Sequence, residues 1–169
     1  MSTRKTCKAL ILKNIKREDR RKEENRMTKD VLVSVCGYQF DVNEEEAIEL
    51  ITDGEYYFKN GKHYIIYEEQ LSPEDGLTKN VLKIGNGTVE LIKRGDGNLH
   101  MMFEPGKKNY SNYSTPIGPM FVGIDTKEME FLEQEGQMEL CIRYDLEISG
   151  SYVSKCEIKI KVESKKGSC

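Results

Sequence analysis

No run of apolar residues in this 169-residue chain approaches the roughly 18 needed for a membrane-spanning helix, and the longest one near the N-terminus, Ala9 to Leu12, is too short for a secretory-signal core. The expectation is a cytoplasmic protein without a membrane partner. Histidine is scarce: His63 and His100 are the only imidazoles, and neither stands in an H-E-x-x-H, H-x-E or C-x-x-C setting. The five cysteines, Cys7, Cys36, Cys141, Cys156 and Cys169, are odd in number and lack C-x-x-C spacing. A disulfide framework and a zinc ribbon are both disfavoured, and reduced thiols are expected. The N-x-[ST] matches at Asn86, Asn109 and Asn112 are then chance. No glycine-rich loop follows a strand and opens a helix, and G-x-S-x-G is missing, so phosphate cradling and the nucleophile elbow lack their scaffolds. No metal, cofactor or catalytic constellation is expected.

What is present is enough apolar material for one core. With 37% hydrophobic residues in 169, one well-buried domain is expected. The net charge of −3 hides an asymmetry: residues 1–26 hold ten Lys and Arg against four acids, net +6, while the other 143 residues hold 16 bases and 25 acids, net −9. So acidic a body is a poor nucleic-acid binder, because its excess of carboxylates repels the phosphate backbone. The leader could form a basic arm for RNA or an anionic membrane surface. A plainer reading is genetic. Lys22-Glu23-Glu24 can be encoded AAG-GAG-GAA, a bacterial ribosome-binding sequence two codons before Met27, so Met27 is expected to be the true start.

From Asp30 onward the hydrophobic period is two, with turn residues at short intervals and no long helical periodicity. Twelve candidate strands follow: Asp30 to Phe40, Glu45 to Thr52, Glu55 to Lys59, Lys62 to Gln70, Thr78 to Ile84, Thr88 to Arg94, Leu99 to Glu104, Lys107 to Ser114, Pro119 to Asp125, Glu128 to Glu133, Gln137 to Ile148 and Tyr152 to Val162. Asn60-Gly61 is the strongest hairpin signal, since a type I′ turn needs positive φ at both central residues. Counting outward pairs Phe58 with His63, Tyr57 with Tyr64 and Tyr56 with Ile65. Directly opposed residues share a face. Tyr56, Phe58, His63, Ile65 and Tyr67 therefore face inward, with Tyr57 and Tyr64 left outside among charges.

Asn86-Gly87 pairs Ile84 with Val89 and Leu82 with Leu91 by the same counting. In the last hairpin, matching apolar with apolar needs a Ser149-Gly150-Ser151 loop, or a two-residue turn plus a bulge. It sets Ile142 opposite Ile158 and Leu140 opposite Ile160, and on the outer face Glu139 opposite Lys161, Arg143 opposite Glu157 and Asp145 opposite Lys155. The turn around Asp96-Gly97 is ambiguous. A plain two-residue turn puts Leu91 opposite Met102 and leaves both faces apolar, so either a bulge shifts the register or both sides are covered. Sequential hairpins with short turns favour an all-β, antiparallel up-and-down barrel over a two-sheet sandwich.

From Met27 to about Glu163 the chain resembles the YwiB-like family of bacterial proteins of unknown function. The resemblance rests on MTKDVLVSV at 27–35, IELITDGEYYFKNGKHYIIYEE at 48–69, LKI at 82–84, MMFEPG at 101–106, YSTPIG at 113–118 and YDLEISG at 144–150. It implies a lipocalin-like, calycin-type β-barrel over 27–163, with 164–169 a short tail and 1–26 outside the domain. It also implies Met101 and Phe103 as an inward pair, through a bulge near Gly95 to Asn98, and a cytoplasmic Gram-positive setting. It implies no reaction.

Single residues add little. His63 inside the barrel could bind or transfer protons, but a satisfied histidine at the rim is the plainer role. The neighbouring acids Glu68-Glu69 and Glu44-Glu45-Glu46 read as solvated charge. The Tyr113-to-Gly118 segment reads as a barrel corner or, functionally, as a lip over a cavity. Tyr110 and Tyr113 could stack a base, but the acidic body lacks a basic groove. The expected function is non-catalytic binding of a small, partly apolar ligand by Tyr56, Phe58, His63, Ile65, Tyr67, Leu82, Leu91, Met101, Phe103 and Tyr144. The alternative is a solidly packed barrel that meets a protein partner, with Tyr57 and Tyr64 as anchor. A lumen far below about 300 Å³ would decide for the alternative.

Overall fold

The computed structural model describes residues 27–39, 47–70 and 72–165. The basic leader, the expected strand residues Phe40, Glu45 and Glu46, and residues 166–169 lie outside them. Ten strands follow in order: β1 (Asp30–Gln39), β2 (Ile48–Lys59), β3 (Lys62–Glu69), β4 (Thr78–Gly85), β5 (Thr88–Arg94), β6 (Asn98–Phe103), β7 (Lys108–Thr115), β8 (Gly118–Gln134), β9 (Gln137–Ile148) and β10 (Ser151–Ser164). Each pairs antiparallel with its sequence neighbours, and β1 closes the barrel against β10. Among the described residues there is no helix.

The turns set the registers. Asn60 and Gly61 have φ of 54° and 73°, Asn86 and Gly87 56° and 71°, and Ser149 and Gly150 53° and 82°. All three pairs thus adopt the left-handed backbone that matches hairpin twist. Phe58 faces His63 and Tyr56 faces Ile65; Leu82 faces Leu91. The last hairpin takes the two-residue turn and adds a bulge between Tyr152 and Ser154, which puts Ile142 opposite Ile158 and Arg143 opposite Glu157. Arg143 bonds Glu157 at 2.8 Å, whereas Lys161 turns to Glu163 on its own strand at 2.7 Å.

The ambiguous turn resolves through a three-residue loop. Arg94 pairs with Asn98, and the Gly95 N–H donates to the Gly97 carbonyl at 3.2 Å. Leu91 therefore faces Met101 and Val89 faces Phe103, so Met101 and Phe103 point inward, 7% and 1% exposed.

Twelve expected strands become ten because two apparent breaks are continuous. Asp53-Gly54 looks like a turn in sequence but lies within β2. A methyl group at Gly54 would meet Val33 Cγ2 at 2.8 Å and the Ile66 carbonyl at 2.9 Å, so this glycine serves close strand packing rather than reversal. Likewise β8 runs through Asp125 to Glu128, absorbing its extra residue as a bulge between Thr126 and Glu128.

The core is the inward face of every strand but β7, which has no buried residue. Val33, Ile65, Leu82, Val89, Phe103, Ile124, Ile142 and Val162 are all 1% exposed or less. One seam is weak: the β6–β7 ladder consists of the single pair Asn98–Ser114, where the other ladders run for at least six pairs. Closure at this seam is supplemented by Asn109, whose amide donates to the Met102 carbonyl at 3.4 Å.

Candidate functional site

We call the barrel end with the Asn60-Gly61 and Asn86-Gly87 turns the lower end and the opposite one the upper end. Strand direction decides which inward residues reach each. On β3 the inward series His63, Ile65, Tyr67, Glu69 climbs from lower to upper; on β5 the series Val89, Leu91, Lys93 does the same.

The upper half holds a cavity of about 420 Å³. Its apolar wall includes Val35, Leu50, Leu91, Leu99, Met101 and Ile160, and its polar edges come from Tyr38, Tyr67, Tyr113, Tyr144, Glu69 and Lys93. Glu69 and Lys93 form an ion pair, Nζ to Oε1 2.7 Å, with side chains 11% and 30% exposed. The two strands are not adjacent. β4 lies between them, and its Asn80 pairs in register with Tyr67 on one side and Lys93 on the other. Asn80 is fully buried, and its side-chain oxygen has no hydrogen-bond partner.

Two of these phenols, Tyr67 and Tyr144, are held neutral. Burial, and then the Glu69 carboxylate, pushes the Tyr67 hydroxyl far above its usual titration range. Burial followed by the influence of Cys156 does the same to Tyr144, which also meets Phe103 edge-on at 5.2 Å between ring centroids. Both are therefore hydrogen-bond donors at any ordinary pH.

Of the residues singled out in sequence, Tyr67, Leu91, Met101 and Tyr144 line this cavity. Ile65, Leu82 and Phe103 do not; they are buried core residues. Tyr56, Phe58 and His63 are at the lower end. Tyr56 Oη and His63 Nδ1 share a hydrogen bond of 2.8 Å, and Phe58 and Phe131 lie 5.0 and 5.6 Å from the imidazole. Burial lowers the His63 pKa, opposed by the Glu133 carboxylate 3.9 Å away. Phe58 corrects the inward assignment: it has the inward phase yet is 55% exposed, because its pair with His63 is the second from the turn and sits at the rim.

Glu69 is a second correction. Expected as solvated charge, it is almost buried and ion-paired. Its signal was its phase, two residues beyond Tyr67, but nothing in sequence brings it to Lys93 across an intervening strand. Tyr110 and Tyr113 face opposite ways: Tyr113 lines the cavity, whereas Tyr110 stacks on Phe121 outside, 5.1 Å apart and nearly parallel. They cannot clasp one base. The Tyr113-to-Gly118 segment is a hairpin turn through Pro116-Ile117 at the upper end.

Two larger concavities, about 720 and 890 Å³, lie on the outer wall. The first mixes Lys159, Lys161, Glu139 and Arg143 with the apolar Phe131 and Leu132, whereas the second is a charged surface crossed by Asp30, Asp53, Glu55 and Lys165. Among the described residues no group of three or more His, Cys, Asp or Glu could hold a metal, and no helix is long and apolar enough to cross a membrane.

Fold and cavity together define a closed ten-stranded antiparallel barrel with a chamber at one end. The chain belongs to the family described as "Domain of unknown function (DUF1934)", whose model matches residues 33–160. It is 27% identical over 108 residues to the uncharacterized beta-barrel protein YwiB of Bacillus subtilis (strain 168), covering 64% of this chain and 75% of that one. The crystal structure of the ywiB protein from Bacillus subtilis is similar in fold, with a TM-score of 0.71 at 24% identity over 85% of this chain and 99% of that one.

Proposed function

We propose that this barrel binds a small, partly apolar molecule in its upper chamber without transforming it, in the manner of calycin-type barrels. The observation that carries the reading is the cavity of about 420 Å³, within the range of small-molecule sites, with an apolar wall and a few polar edges. A solid barrel would offer no such space.

A binding rather than catalytic role is supported by the histidines. His63 is committed to Tyr56 in the half away from the cavity, and His100, half exposed, meets Glu90 at 3.2 Å on the outer wall. Neither faces a buried carboxylate across a chamber. A cytoplasmic location is favoured by the free thiols Cys36, Cys141 and Cys156. The outer phase of β9, with Glu139, Arg143, Asp145 and Glu147, suits water rather than lipid and carries no basic groove for nucleic acid.

Native mass spectrometry of freshly purified protein tests the reading. Added mass that is lost on denaturation, and lacking in a Leu91→Trp variant whose indole fills the chamber, is the expected result. Bare protein that also fails to take up a neutral hydrophobic dye would overturn it.

The exposed aromatics give a protein-interaction role its own footing. Tyr57 is 40% exposed on the outer face, and Tyr110 and Phe121, 52% and 46% exposed, present a stacked pair. Surface alanine variants that keep dye uptake but lose a captured partner would favour that role.

A further inference from the structure

We infer that the chamber selects an uncharged ligand, an apolar body carrying a hydroxyl, amide or similar neutral group, and that the Glu69–Lys93 ion pair enforces the choice. This rests on the binding role proposed above and narrows its ligand class.

Every charged side chain lining the chamber is already matched within the protein. Lys93 is spent on Glu69 at 2.7 Å. Glu157, the third, is held by Arg143 at 2.8 Å and Lys159 at 3.2 Å. An anionic ligand would have to draw Lys93 away and leave the Glu69 carboxylate, only 11% exposed, without compensation. A cationic ligand faces the mirror-image problem with Lys93. A neutral group meets neither penalty. The ammonium keeps two further N–H donors beyond the one given to Glu69, and the carboxylate keeps a second acceptor oxygen. The pair therefore offers donor and acceptor side by side, which suits a group that both gives and takes a hydrogen bond. Tyr67 and Tyr113 add phenol donors, and Tyr144, whose hydroxyl meets Cys156, adds a third ring to the wall. Leu91, Leu99, Met101 and Ile160 supply the apolar wall.

A matched pair of dyes tests this: neutral N-phenyl-1-naphthylamine and 8-anilinonaphthalene-1-sulfonate, the same fluorophore with a sulfonate. Titrated into the whole protein at neutral pH, the neutral dye is expected to bind at least about tenfold more tightly. In Glu69→Gln, Lys93 is released and the sulfonate dye should gain about tenfold while the neutral dye changes by less than about threefold. The inverted pair Glu69→Lys with Lys93→Glu, which keeps the bridge, should retain the wild-type preference and serves if the single variant does not fold. An equal or tighter hold on the anionic dye by the wild type, or a preference unmoved by Glu69→Gln, overturns the inference, as does a preference changed by the inverted pair. Leu91→Trp separates the two levels of the argument. If it abolishes binding of whichever dye is preferred, the chamber is the site and only the charge rule is at stake. If it leaves dye binding intact, the chamber is not the site and both readings fall.

Discussion

At the lower end of the barrel Tyr56 and His63 bond to each other and two phenylalanines lie against the imidazole; at the upper end Tyr67, Tyr113 and Tyr144 face open space. Both ends are built from inward-phase aromatics beside an ionisable group. The difference is what completes them. Below, Phe103 and Met138, each 1% exposed, fill the interior, and Tyr56 and His63 satisfy one another. Above, the inward positions pass to Lys93 and Glu69, whose polar ends bridge strands rather than fill volume, and to Asn80, whose side-chain oxygen has no partner. Phase alone therefore does not make a binding site; the height of a residue along its strand decides whether it packs or lines.

The contrast is broken most forcefully by truncating the packed half. Phe103→Ala is expected to cost about 3–5 kcal/mol in urea denaturation, whereas Leu99→Ala, partly buried beside the cavity, should cost no more than about 1.5 kcal/mol. Equal costs would mean that the upper end is packed as tightly as the lower. At the boundary, Gly54→Ala forces Val33 or the Ile66 carbonyl to move and should cost about 1–3 kcal/mol in the same measurement. An unchanged midpoint would show β2 to be looser there than its geometry indicates.

Filling is the converse of truncation. Leu91→Trp should hold stability within about 1 kcal/mol of wild type, because the indole enters existing space rather than a full core. A loss approaching 3 kcal/mol would show that space to be illusory. The smallest effect is one of pH. With its pKa lowered in the folded state, His63 binds its proton more readily when the chain is unfolded. Stability should therefore fall as pH drops below the ordinary imidazole value of about 6.5 toward the lower native one. His63→Asn should flatten that slope in denaturation series across pH 7 to 5; an unaltered slope would assign the acid sensitivity elsewhere.

Much of the barrel was legible along the chain. Asn60-Gly61 and Asn86-Gly87 announce their hairpins because few other residue pairs tolerate two positive φ angles in a row. The alternation from Met138 to Ile148 leaves one workable register with β10. Gly54 misled, since a glycine that permits close packing and one that permits reversal look alike in sequence. Phe58 misled for a related reason: period two reports the side of a strand but not how near the rim a residue lies.

The candidate site was half visible. Tyr67, Leu91, Met101 and Tyr144 follow from phase and register, but Lys93 and Glu69 lie 24 positions apart on non-adjacent strands, and a charged residue reads as solvated until its partner is known. By itself, then, the sequence determined most of the strand positions, the registers of the Asn60-Gly61, Asn86-Gly87 and last hairpins, and the inward phase of each of those strands, because turn chemistry and two-residue periodicity are local. Only the closed barrel decided where the interior is full and where it is hollow, and which charges meet inside it, because volume and long-range pairing belong to all ten strands at once.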